Sequence, residues 1–72
     1  MIIRIKGESI KMSQFLKKID IVDSGGQSKY FLLKNEVKVN GVVTKAKGRN
    51  LYPGDVVELL NRIFKIEKEE KV

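Results

Sequence analysis

The sequence predicts a small α+β fold in which two short helices pack on a mostly antiparallel sheet. Three observations predict it: apolar residues at helical spacing between Met12 and Ile19, an S-x-x-Q sequence at residues 24–27, and alternating valines that end in the turn dipeptide Asn40-Gly41. The chain has 72 residues, which is enough for one domain with a small core. We therefore expect residues 1–72 to form a single domain.

The first third of the chain predicts one strand and one helix. Three isoleucines among the first five residues predict a short strand. The apolar stripe that follows predicts the first helix, with Ser13 as its N-cap. The expected core residues of this helix are Met12, Phe15, Leu16 and Ile19.

The second helix is predicted from about residue 25 to residue 34. In a capping box, the Ser24 hydroxyl would accept a hydrogen bond from the Gln27 amide, and the Gln27 side chain would accept one from the Ser24 amide. Asn35 is predicted to end the helix in a left-handed conformation. The expected core residues of this helix are Phe31 and Leu32.

The second half of the chain predicts two hairpins. Val37 and Val39 would lie on a strand that returns through Asn40-Gly41 to Val42-Val43. Residues 44–50 have no apolar periodicity and are predicted to be a basic loop, and residues 52–55 a turn that Asp55 fixes. The closing hairpin is predicted over residues 56–66 with Asn61-Arg62 as its turn, and the polar tail from about residue 67 is predicted to fray.

The charge of the chain predicts a polyanionic partner. The net charge is +6, and residues 1–50 hold eleven Lys and Arg against four Asp and Glu. The chain has no cysteine and no histidine, so we expect no disulfide, no metal site, no cofactor and no catalytic residue. It also has no apolar run of the roughly 20 residues that span a bilayer and no signal-peptide segment, so we expect a cytoplasmic protein without membrane contact.

Several segments together resemble the αL motif of the S4-type RNA-binding domain, a family named after a protein of the small ribosomal subunit. They are K-M at 11–12, F-L-K at 15–17, S-G-G-Q-S-K-Y-F-L at 24–32, V-K-V-N-G at 37–41 and G-R-N-L-Y-P-G-D at 48–55. The S-G-G-x-x-K and G-R-x-L-Y-x-G-D segments resemble the small stand-alone bacterial members called YaaA- or YbcJ-like. The resemblance implies a non-catalytic protein that binds structured RNA, ribosomal RNA above all. Separately, we expect a monomer with no small-molecule substrate.

The resemblance also implies where RNA binds: on both helices and on the loop after the V-N-G hairpin. The amino end of a helix can bind a phosphate through its free amides, and an arginine can bind one with two hydrogen bonds. The stand-alone members carry R-R-G-[RK]-K before L-Y, whereas this chain has neutral Ala46 and Asn50 there, and Lys45 would substitute in part. The predicted RNA-binding residues are Lys11, Lys17, Lys18, Ser24, Gly25, Gly26, Gln27, Lys29, Lys45, Lys47 and Arg49.

Each of these positions also has an ordinary structural explanation. The lysines could form a solvated surface, and the two glycines could serve only a tight start of the helix. Of the two tyrosines, Tyr30 is the better candidate for stacking on a nucleobase, and Tyr52 is expected to pack.

Two other functions remain open from the sequence. Ubiquitin-like sulfur carriers also show an initial strand, a helix, V-N-G and L-x-x-G-D-x-V-E, which resembles residues 51–58. They need a C-terminal Gly-Gly, whereas this chain ends in Glu70-Lys71-Val72. The other alternative is a protein-interaction domain whose basic surface binds an acidic partner.

Overall fold

A computed structural model describes residues 1–70 and confirms the α+β prediction. The elements are β1 (Ile2–Ile5), β2 (Ile10–Lys11), α1 (Met12–Lys18), α2 (Gly25–Lys34), β3 (Lys38–Val39), β4 (Val42–Val43), β5 (Asn50–Leu51), β6 (Val56–Leu59) and β7 (Arg62–Lys68). Five strands form one sheet in the order β1-β7-β6-β3-β4, and β2 and β5 form a second, two-stranded sheet. Only the β1–β7 pair of the described strands is parallel.

The core contains the apolar residues that the helical and strand periodicities predicted. Phe15 of α1 meets Phe64 of β7 edge to face, with ring centroids 5.5 Å apart, so the aromatic pair links the helices to the sheet. Ile19 and Phe31 are only partly buried. The predicted core residues that are fully buried are Met12, Phe15, Leu16, Leu32, Val37 and Val39.

The start of α1 corrects the prediction that Ser13 is its N-cap. The N-cap is Lys11, and Ser13 lies inside the first turn. The Met12 amide donates to the Arg49 carbonyl at 2.8 Å, and the Ser13 amide donates to the Lys47 carbonyl at 3.0 Å. These carbonyls satisfy two of the free amides at the start of the helix, and the Gln14 side chain accepts from the Lys11 amide at 3.4 Å.

Helix α2 begins after Ser24 as predicted, but the capping box does not form. The Ser24 hydroxyl makes no capping hydrogen bond, and the Gln27 side chain accepts from the Asp23 amide at 2.6 Å instead of the Ser24 amide. Asn35 ends the helix in an extended conformation, φ −127°, and not in the predicted left-handed one. Its backbone and side-chain amides both donate to the Phe31 carbonyl, which satisfies the helix end without a left-handed residue.

Both hairpins form, and the second has its turn one residue earlier than predicted. Asn40 and Gly41 have φ values of 52° and 83°, as expected for this dipeptide. In the β6–β7 hairpin, Leu59 pairs with Arg62, so the turn residues are Leu60 and Asn61. The buried side chains of both strands fix this register, and Leu60 is therefore held at φ 48° although leucine disfavours it.

The predicted fraying from residue 67 is also corrected. Strand β7 continues to Lys68, which pairs with Ile5, and the Glu69 amide donates to the Ile5 carbonyl at 2.7 Å. Residues 65–68 of β7 pair with β1, and Ile66 also exchanges backbone hydrogen bonds with Gly54 and Asp55, so this part of the strand is held by its backbone whatever the polarity of its side chains. The last two residues of the predicted tail, 71 and 72, lie outside the described residues. Within residues 1–70, neither helix combines the length and the apolar character that crossing a membrane requires.

Candidate nucleic-acid interface

Residues 44–50, predicted as a loop without apolar anchors, are held by their backbone. The carbonyls of Lys47 and Arg49 accept from the first amides of α1, and Asn50 pairs with Lys11 in the β2–β5 ladder. The side chains of Lys11, Lys47 and Arg49 are exposed. The structure therefore brings these three predicted residues together at the amino end of α1, and we call them the loop cluster.

Lys45 is engaged within the protein. Its ammonium donates to the Leu32 carbonyl in the last turn of α2 at 3.0 Å. A cation is favourable at this position because the carbonyl end of a helix carries partial negative charge. Nearby, the Thr44 amide donates to the Val37 carbonyl at 2.9 Å, which fixes the start of the loop. Lys45 thus connects the loop to the carboxyl end of α2.

The second group of predicted residues lies at the other end of the helices. The connection from α1 folds back on that helix, where the Ile21 amide donates to the Leu16 carbonyl at 3.0 Å. This places the amino end of α2 near the carboxyl end of α1. The residues at this end, all exposed except the half-buried Gly25, are Lys17, Lys18, Ser24, Gly25, Gly26 and Gln27. We call them the amino-end group of α2.

The two groups lie at opposite ends of α1, which has seven residues and is about 10 Å long, and the neighbouring α2 has ten residues and is about 15 Å long. Lys29 is exposed and lies between them along the helix. The amino end of α2 is also open to approach: a Cβ atom added to Gly25 would meet nothing within 4 Å, and one added to Gly26 would meet only the Ser24 hydroxyl at 3.9 Å. The predicted residues thus follow the helices from one end to the other.

Charges are distributed differently on the helices and on the sheet. Neither α1 nor α2 contains an acidic residue, and residues 44–50 contain none. On the five-stranded sheet, Lys38 pairs across strands with Glu58, and Arg4 pairs with Glu67. The ion pairs found within residues 1–70, Lys38 with Glu36 and Lys68 with Glu8, involve none of the predicted RNA-binding lysines. The helices and the loop therefore present cations without neighbouring acids on their own elements.

One link in this region was missed from the sequence. The Asn40 side chain donates to Asp55 at 3.0 Å and accepts from the Val56 amide at 2.9 Å. Asp55 in turn accepts from the Tyr52 amide at 2.8 Å, which confirms that it fixes the turn at residues 52–55. The asparagine of V-N-G and the aspartate of G-D thus hold together the two ends of the segment that carries Lys47 and Arg49.

Lys34 was also missed as a candidate. It is exposed in the last turn of α2, four residues after Tyr30 and near the end that Lys45 contacts. The helical spacing from Tyr30 is the signal that could have identified it. Tyr30 itself is 68% exposed, whereas Tyr52 is 51% exposed.

A family model described as S4 domain matches residues 3–67. The chain therefore belongs to the S4 domain family, a class of RNA-binding domains, and the resemblance drawn from the segments between residues 11 and 55 is confirmed. The match also favours this interpretation of the V-N-G and L-Y-P-G-D segments over a ubiquitin-like sulfur carrier.

Among curated proteins, the chain is similar to the "probable ribosome maturation protein RlbA" of Bacillus subtilis (strain 168). The two are 49% identical over 57 residues, which cover 79% of this chain and 80% of the relative.

Proposed function

We propose that this protein is a non-catalytic RNA-binding protein that recognises structured ribosomal RNA through α1, α2 and residues 44–50. The observation that supports the proposal is the distribution of acids: α1, α2 and residues 44–50 contain none, whereas the sheet carries Glu58 and Glu67 in register with Lys38 and Arg4. Proteins recognise double-helical RNA by its shape, its phosphates and its 2′-hydroxyls, so an exposed cationic surface suffices and no deep pocket is needed.

The geometry supports different roles for the predicted residues. Arg49 and Lys47 extend from a backbone that α1 fixes, so Arg49 is suited to grip a phosphate with two hydrogen bonds. The open amides at the start of α2 favour a second phosphate, and Lys29 adds charge between the two positions. Lys45 contributes by holding the loop against α2.

We infer the ribosomal target from the name of the Bacillus subtilis relative. Its printed name assigns it to ribosome maturation, and we extend that role to this chain because the match covers most of both proteins. We therefore propose that the protein acts in the cytoplasm, on ribosomal RNA or on a ribosomal particle.

Salt dependence tests the electrostatic part of the proposal. Binding of a folded ribosomal RNA fragment is measured by filter binding at 50 and 200 mM salt. Six or seven phosphate contacts predict a loss of affinity on the order of 10³-fold between the two conditions, because each neutralised phosphate releases counterions. Tight binding that ignores salt, or no binding at low salt, would contradict the proposal.

Charge reversal tests the location of the site. The triple variant Lys29→Glu, Lys47→Glu, Arg49→Glu is expected to lose RNA binding and to keep its thermal unfolding profile, because all three side chains are exposed. The matched control reverses three exposed cations of the sheet, Arg4, Arg62 and Lys65, and changes the net charge by the same amount.

The control variant is expected to lose less than about tenfold in affinity, since distant exposed charges are screened by salt. Equal losses in both variants would show that net charge alone drives binding and that the helices are not the site. Binding by the protein to an acidic partner in nuclease-treated extract, with no binding to RNA, would favour the protein-interaction alternative.

A further inference from the structure

The outer surface of α2 carries an exposed aromatic ring next to an exposed leucine. Tyr30 is 68% exposed and Leu33 is 58% exposed, and their spacing of three residues puts them on one face of the helix. The opposite face holds Ser28 and Leu32, both fully buried. Neither Tyr30 nor Leu33 therefore contributes to the core, although together they are the largest apolar side chains on the outside of α2.

The surroundings of the ring are cationic and open. Lys29 and Lys34 are exposed on either side of Tyr30 along the helix, and α2 has no acidic residue. Gly26, one turn before Tyr30 on the same side of the helix, has no side chain, and the space at its Cβ position holds only the Ser24 hydroxyl at 3.9 Å. No side chain at residue 26 therefore blocks approach to this side of α2.

An exposed aromatic ring between cations is suited to bind an unpaired base of an RNA and the phosphates next to it. Nucleobases stack on exposed aromatic side chains, and lysines beside the ring neutralise the adjoining phosphates. In a continuous duplex the bases are already stacked on one another, whereas an unpaired base in a bulge or loop is free to stack on protein. The absence of acids from α2 favours this polyanionic occupant over a protein partner with a basic surface.

We propose that Tyr30 stacks on an unpaired nucleobase, so that the preferred target is an RNA helix interrupted by a bulge or loop. This inference rests on the proposed function, because it requires α2 to face the RNA. It adds a specificity element to a surface whose other contacts are to phosphate.

The experiment measures how tightly the 72-residue chain binds two RNA hairpins that differ only in a single bulged nucleotide. Tyr30→Ala is expected to weaken binding of the bulged hairpin by about 5- to 100-fold, the range found for loss of one base–aromatic stack, and to leave the uninterrupted hairpin unaffected. Tyr30→Phe should bind like the wild type because the ring remains. Tyr52→Ala, which removes the other tyrosine, is the matched control and should bind both hairpins normally.

A spectroscopic readout separates stacking from a general loss of affinity. With 2-aminopurine as the bulged base, the wild type and the Tyr30→Phe variant are expected to quench its fluorescence at saturation, whereas Tyr30→Leu should not, since leucine keeps an apolar side chain but no ring.

Three outcomes would overturn the inference while the proposed function stands. These are salt-dependent RNA binding that Tyr30→Ala leaves unchanged, an equal loss for both hairpins, and undiminished quenching in Tyr30→Leu. The first would assign the Tyr30–Leu33 surface to a protein partner instead. A wild type that binds neither hairpin nor a folded ribosomal fragment at low salt would refute the proposed function and this inference together.

Discussion

At the scale of single residues, Ser28 is a buried polar group without compensation. Its side chain is fully buried on the inner face of α2, and its hydroxyl has no hydrogen-bond partner within residues 1–70. Leaving a buried hydroxyl unsatisfied costs about 1–3 kcal/mol, since the group loses water and gains nothing. A serine in a helix often bonds to the carbonyl four residues earlier, and Ser28 does not.

Ser28→Ala is therefore expected to raise the free energy of unfolding by about 1 kcal/mol. The substitution removes the uncompensated hydroxyl and replaces serine with the best helix former. Urea denaturation followed by circular dichroism measures the change. Ser24→Ala is the control: its hydroxyl makes no capping bond, so its removal should cost less than the roughly 1 kcal/mol that a working cap contributes. A destabilised Ser28→Ala variant would show that the hydroxyl does have a partner in solution.

Residue chemistry explains which local features the sequence could predict. The turn at Asn40-Gly41 was predicted correctly because both residues accept positive φ, which is a property of the residues themselves. The contact of the same Asn40 with Asp55, 15 positions away, depends on the fold and leaves no local signal. Leu60 was missed as a turn residue for the same reason, because the buried faces of β6 and β7 impose its conformation.

At the scale of elements, residues 44–50 form a fixed connection between the two helices. The segment donates to Val37 at its start, reaches the end of α2 through Lys45, and accepts from the start of α1. The lack of apolar periodicity predicted a loop, and the sequence could not show how this loop is held because backbone groups and a lysine ammonium make its contacts. The same limit applies to β2 and β5, which are two residues long and too short for a periodic pattern.

Lys45→Met tests whether this lysine acts by holding the loop. The change keeps much of the side-chain length but removes the hydrogen bond to Leu32 and the charge at the helix end, so it should lower the free energy of unfolding by about 0.5 kcal/mol. Lys45→Met should also weaken RNA binding, but the salt dependence of that binding should stay nearly unchanged. Lys45→Arg should keep the stability and the RNA affinity of the wild type.

Lys47→Met is the matched comparison for this prediction. A lysine that contacts phosphate contributes directly to the salt slope, so this variant should reduce the slope by about one unit and keep full stability. If Lys45→Met reduces the slope as Lys47→Met does, Lys45 contacts the RNA as the sequence predicted, and its bond to Leu32 is broken in the complex.

At the scale of the whole molecule, the acids are distributed by layer: α1, α2 and residues 44–50 contain none, whereas the strands of the five-stranded sheet carry charges of both signs. The excess of cations in residues 1–50 predicted a polyanionic partner, which agrees with membership of the S4 domain family. That region, however, includes Arg4 and Lys38, which lie on the sheet opposite Glu67 and Glu58. α1, α2 and residues 44–50 together hold seven cations and no acid, and only the folded arrangement separates these cations from Arg4 and Lys38.

The helical layer keeps its position because a few large side chains join it to the sheet, and Phe15 is the largest of them in α1. Replacing Phe15 with alanine removes its contact with Phe64 and leaves a cavity, which typically costs about 3–5 kcal/mol. A domain of this size has a total stability of about 4–10 kcal/mol, so Phe15→Ala should be partly or fully unfolded by circular dichroism. Phe15→Leu fills most of the space and should remain folded.

The same pair of variants distinguishes an effect on folding from an effect on RNA binding. Phe15 is fully buried and contacts no RNA in the proposed arrangement, so Phe15→Leu should bind RNA with nearly wild-type affinity and an unchanged salt slope. Phe15→Ala should lose binding only in proportion to its unfolded fraction, as measured at the same temperature. A folded Phe15→Leu variant that no longer binds RNA would show that the exact position of α1 on the sheet, and not only its lysines, determines recognition.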